Sequence, residues 1–129
     1  MKLNGLLITV ALFLITANGC KSKTADDLIV NKWHLYEMKG KDAESIPDSV
    51  KTKMYNEASI EFTKDGKYQT NGMGEGTKKG TYHFSADKKT LITTEDGGMP
   101  DSVSVIELTE TKMTVKDGKA DVQVSFKPH

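Results

Sequence analysis

Cys20 carries the most reactive side chain in this chain of 129 residues, and it is the only cysteine. No internal disulfide can form, and a free thiol in an exported protein would be prone to intermolecular pairing. Its chemistry is that of one attachment point at sulfur. Little else is spaced for reaction. The histidines, His34, His83 and His129, form no His-x-x-His, and no Cys-x-x-Cys exists, so no metal spacing is present. His34 and His83 each alternate with a core-facing neighbour and are expected at the surface. No serine or cysteine nucleophile has a discernible ordered base. Glu61 and Asp121 fall on expected outer faces, without the partner carboxylate that acid–base chemistry needs. The glycine-rich run at 71–76 lacks the following helix of a phosphate loop. Asp96 and Asp101 supply too few oxygens for calcium. No catalytic residue, metal site or cofactor is therefore expected. What remains is apolar contact chemistry, centred on Trp33, Tyr68, Tyr82 and Phe84 with Met54.

The segments that carry these residues differ sharply along the chain. Residues 1–19 read as a secretion signal. Lys2 gives a positive start, residues 6–15 are apolar apart from Thr9, and Ala17, Asn18 and Gly19 precede Cys20. The apolar run is shorter than the about 20 residues a membrane span needs, and no second run follows. Residues 20–27 read as the modified cysteine and a polar tether, with Thr24 capping a brief turn over 28–30. Residues 28–129 form one domain of ordinary size. The whole chain balances 18 basic against 18 acidic residues, so no charge-driven partner is implied. Every basic residue is lysine. The absence of arginine argues against nucleic acid and against bidentate recognition of carboxylate ligands.

Period-two patterns dominate the domain. Strands are expected over 31–38, 58–64, 67–70, 79–84, 90–94, 102–108, 113–116 and 119–127, with Asp65-Gly66 and Asp117-Gly118 as turn signals. Within 102–108 the alternation changes phase, and a β-bulge near Val105–Ile106 would reconcile the two halves. One helix is expected over 47–57. Pro47 suits its first turn, Ser45 is a candidate cap, and Val50 with Met54 forms an i, i+4 apolar pair. The fold class is all-β: an eight-stranded antiparallel meander closing into a barrel, with one short helix between the first two strands.

Two resemblances follow. Residues 17–20, Ala-Asn-Gly-Cys, behind an apolar run resemble the lipobox of bacterial lipoprotein signals. That resemblance implies cleavage before Cys20, a thioether-linked diacylglycerol and an N-acyl chain such as palmitate. One chain anchors only marginally, at about 0.8 kcal/mol per buried methylene, so several are needed. Lys21 is not the aspartate of an inner-membrane retention signal, which implies the outer membrane. Asn31-Lys32-Trp33, Ile60-Glu61-Phe62, Lys64-Asp65-Gly66-Lys67-Tyr68, Gly80-Thr81-Tyr82 and Lys89-Thr90-Leu91 together resemble the small lipocalin-like domains of bacterial lipoproteins. Asn31 stands where the lipocalin Gly-x-Trp signature has glycine, and Asn tolerates the same left-handed geometry. Lys127 is the only candidate for the family's last-strand arginine.

The resemblance implies a barrel that is either filled or holds one small ligand. Trp33 would floor a cavity or plug the base; Tyr68, Tyr82 and Phe84 would line a pocket or form plain core. Met54, on the helix, would cover the open end or seal the core. The loops at 71–76 and 96–101 would rim one end. The leading expectation is an exported, lipid-anchored monomer binding a small hydrophobic or amphipathic ligand non-covalently. The alternative is a solid interaction module of the cell envelope, with Met38, Met54, Met73, Met99 and Met113 as adaptable contacts.

Overall fold

Eight antiparallel strands pair in sequence order and the last returns to the first, so the sheet keeps no open edge. The computed structural model describes residues 23–74 and 76–129; the expected secretion signal over 1–19 and Cys20 lie outside them. The order is α1 (Ala25–Leu28), β1 (Asn31–Lys39), α2 (Lys41–Glu44), α3 (Asp48–Glu57), β2 (Ser59–Phe62) and β3 (Lys67–Asn71). Then come β4 (Lys78–Phe84), β5 (Thr90–Glu95), β6 (Pro100–Leu108), β7 (Met113–Asp117) and β8 (Gln123–Pro128).

The expected bulge is present. Against β7, β6 shifts register between Val105 and Glu107. Ile106 is thrown outward and is 54% exposed, while Val103, Val105 and Leu108 pack on the core. A second shift, in β1 between Leu35 and Glu37, returns Met38 to the inner face. It leaves no trace in the sequence, because Tyr36 suits either side.

The helices depart further from expectation. Thr24 and Asp27 form a reciprocal capping box, so α1 begins ahead of the turn expected at 28–30. The single-turn α2 is too short to show a period. Pro47 occupies the N-cap of α3 without a side-chain bond, and the Ser45 hydroxyl donates instead to the Asp42 carbonyl at 2.8 Å. Ser45 therefore does not cap α3. The last strand starts at Gln123 rather than 119, because the preceding loop is clasped to the start of α2. Asp121 N–H donates to Asp42 Oδ2 at 2.6 Å, and Asp42 N–H to the Asp121 carbonyl at 3.1 Å. Gly40, at φ 114°, permits this; a Cβ there would collide with the Asp121 carbonyl.

Alternate connections share an end of the barrel. The turns at 63–66, 85–89 and 109–112 gather with α1 at one end. There the buried side chains of Ile29, Trp33 and Phe62 close the base. At the other end, the mouth, lie α2, α3, the turn at 72–74 and the loops at 96–99 and 118–122. Gly80 of β4 is needed for closure, since a Cβ would meet the Thr94 carbonyl of β5. His83 is exposed as expected, but His34 is half-buried, with Nε2 2.7 Å from the Tyr55 carbonyl. The helix α3 covers His34, which a strand pattern alone does not reveal.

Candidate functional site at the barrel mouth

Residues directly opposite on paired strands share a face. One inward row runs Phe62, Tyr68, Gly80, Glu95; the next runs Tyr82, Thr93, Asp101. The inner wall therefore changes from aromatic near the base to polar and acidic near the mouth. Tyr68 stands at the change, its ring 6.3 Å from that of Phe62. Burial, then the negative charges of Glu95 and Asp96, push its phenol above the ordinary tyrosine range; Thr93 opposes and Asp101 adds to the rise.

Trp33, Tyr82 and Phe84 come together in the packed base. Trp33 is fully buried, and its indole N–H donates to the Ile29 carbonyl at 2.9 Å. The Tyr82 hydroxyl donates to the Thr63 carbonyl at 2.7 Å, and its ring meets Phe62 edge-on at 4.9 Å. Burial, then Asp26 and Asp65, raise the Tyr82 pKa, which fits a hydroxyl aimed at the closed end. Phe84 is buried, with Lys88 Nζ 5.9 Å from its ring centre.

Met54 lies at the opposite end. There α3 and the turn at 72–74 border an open concavity of about 660 Å³, lined by Val50, Lys53, Met54, Glu57 and Met73 among others. Val50 is 45% exposed, whereas Met54 and Met73 are half-buried and also pack against the core. The bordering parts are tied down. Gly72, at φ 68°, brings its turn so close to the C-terminus of α3 that a Cβ would strike the Glu57 carbonyl. Met38 N–H donates to the Tyr55 hydroxyl at 3.1 Å, pinning α3 to β1. Met73, Lys53 and Glu57 carry no sequence signal for this site, because Met73 sits in a glycine-rich loop and only the fold brings it to α3.

A second concavity, of about 670 Å³, lies on the outer face of β2–β4. Its charged side chains, among them Lys64, Asp65, Lys67, Lys79 and Asp96, are of both signs. That lining suits an apolar ligand less than the mouth does. Among the described residues, no group of three His, Cys, Asp or Glu side chains is placed to hold a metal.

Residues 29–115 match the family model described as a lipocalin-like domain. A lipocalin-like protein from Bacteroides uniformis shares the architecture at 12% identity and a TM-score of 0.57, with 78% of this chain and 98% of that one covered. A DUF4847-family protein from Bacteroides vulgatus does so at 15% identity and a TM-score of 0.52, with 78% and 93% covered. At such identities the likeness is one of fold alone. No curated protein matches the chain.

Proposed function

The chain belongs to the lipocalin-like domain family, and on that premise we propose that it binds a small hydrophobic or amphipathic ligand non-covalently at the helix-covered mouth of its barrel. The observation that carries this reading is the concavity of about 660 Å³ lined by Met54 and Met73, which also pack against the core. Its volume falls in the range of about 300–1,000 Å³ usual for small-molecule sites. Thioether side chains adapt their shape to an apolar guest. Lys53 and Glu57 flank the opening and would meet a polar head group. Trp33, Tyr82 and Phe84 form the floor beneath the site, and Tyr68 marks the polar end of the inner wall.

The proposal includes export, cleavage after Gly19 and anchoring through lipid on Cys20, in the outer membrane. The apolar run of residues 6–15, the position of Cys20 and the lysine at 21 support it. A mass increase on Cys20 in protein taken from membranes, abolished in Cys20→Ser, is the expected result.

The barrel's strands begin at Asn31, so the chain from Lys21 onward suffices to test binding. Native mass spectrometry of that domain purified from cells should show a small molecule that leaves on denaturation. A clean mass, with no uptake from a panel of fatty acids and hydrophobic dyes, would instead favour a solid interaction module. The packed base and the exposed Val50, Met99 and Ile106 are what that second reading rests on.

A further inference from the structure

We infer that the closed end of the barrel faces the bilayer that holds the anchor, and that the mouth opens away from it. This rests on the proposed acylation of Cys20. Only Lys21 and Ser22 separate Cys20 from Lys23. A residue spans at most about 3.6 Å, so Cys20 stays within about 11 Å of Lys23.

Lys23 and α1 are fixed to the closed end. Lys23 Nζ lies 3.0 Å from Glu110 Oε1 in the turn after β6, and Asp26 Oδ2 lies 3.0 Å from Lys88 Nζ in the turn after β4. Exposed ion pairs of this kind hold weakly alone. The stronger ties are apolar: Ala25 at the start of α1 packs against the core, and Ile29, directly after α1, is fully buried and accepts the Trp33 indole bond at 2.9 Å.

The mouth is beyond this reach. β1 has nine residues at about 3.3 Å each, and a barrel tilt of about 40° leaves a height of about 20 Å. A mouth-down arrangement would need a tether about twice as long. The closed-end turns also carry lysines (Lys64, Lys88, Lys89, Lys112) in near balance with Asp65, Asp87 and Glu110, so no net repulsion opposes an anionic lipid surface. The consequence is functional. Ligand would enter from the aqueous phase or from a partner protein, not sideways from the membrane that carries the anchor.

Cys20 is the sole native cysteine, so once it is acylated an introduced cysteine takes a dye selectively. Met99→Cys places a donor at the mouth, where Met99 is 85% exposed. Thr111→Cys, with Ala86→Cys as a second position, places one at the closed end, where both residues are exposed. The full acylated chain would be bound to vesicles of phosphatidylcholine and phosphatidylglycerol containing a head-group energy acceptor. Transfer from 111 and 86 should exceed that from 99 several-fold. Equal or greater transfer from 99 in protein whose mass shows acylated Cys20 would overturn the orientation alone. Protein that carries no acyl mass and stays off the vesicles would overturn the anchoring reading, and this inference with it.

Discussion

At the closed end the barrel withdraws its largest side chains from water, with Trp33 and Ile29 at 0% exposure and Phe62 at 2%. At the mouth, α3 buries no residue at all, and Val50 on it remains 45% exposed. Neither α1 nor α3 buries a residue of its own, but the closed end adds Ile29, directly after α1, to the core. The helix α3 is held by its hydrogen bonds to Met38 and His34, the close approach of Gly72 and the partly buried Met54 and Tyr55, whereas the base is sealed by a fully buried indole. With the binding proposed for the mouth, stability and ligand exchange fall at opposite ends of one small barrel.

Trp33→Ala should test that division most severely. It removes a fully buried indole and its bond to Ile29, for an expected loss of about 3–5 kcal/mol in urea unfolding. A loss under about 1 kcal/mol would mean the base is not the stabilising region. Gly80→Ala comes next. Its Cβ would meet the Thr94 carbonyl, and overpacking of this kind costs about 1–3 kcal/mol. The same unfolding curve reads it.

Substitutions at the mouth should separate binding from folding. Met54→Ala combined with Met73→Ala is expected to weaken uptake of a hydrophobic dye about tenfold, or about 1.4 kcal/mol. The thermal midpoint should move far less than for Trp33→Ala. Parallel losses of stability and uptake would erase the distinction between the ends.

The smallest effect is one of pH. The Tyr68 phenol is raised in the folded chain, chiefly by burial and then by Glu95. The unfolded chain therefore loses that proton first. The stability linked to Tyr68 is complete below the ordinary tyrosine value of about 10 and is lost as pH rises through the folded value. Unfolding midpoints measured from pH 8 to 11 should fall at the alkaline end, and Tyr68→Phe should fall less steeply. An identical decline in the variant would remove Tyr68 as the cause.

The base was far more legible in the sequence than the mouth. Trp33 and Leu35 alternate with polar residues, and Val122, Val124 and Phe126 do the same, so strand faces follow from period alone. The phase change at Val105–Ile106 even located a bulge. The mouth offered no such regularity. Ser45 has the chemistry of a cap, but its hydroxyl found the Asp42 carbonyl first. Met73 lies among glycines, and nothing local says that its turn will press on the end of α3. The clasp of Asp42 with Asp121 joins residues 79 positions apart, a distance that no local pattern spans.

Sequence alone determined the eight strands, their inward faces apart from the end of β1, the bulge in β6 and the solitary cysteine next to an apolar run, because each is written in local spacing or residue type. Tertiary structure alone decided which aromatic residues share the base, where Tyr68 meets acidic neighbours, and that Met54 and Met73 line one concavity. Those outcomes depend on strand register and on how loops distant in sequence pack across the barrel's end, and only closure of the sheet sets them.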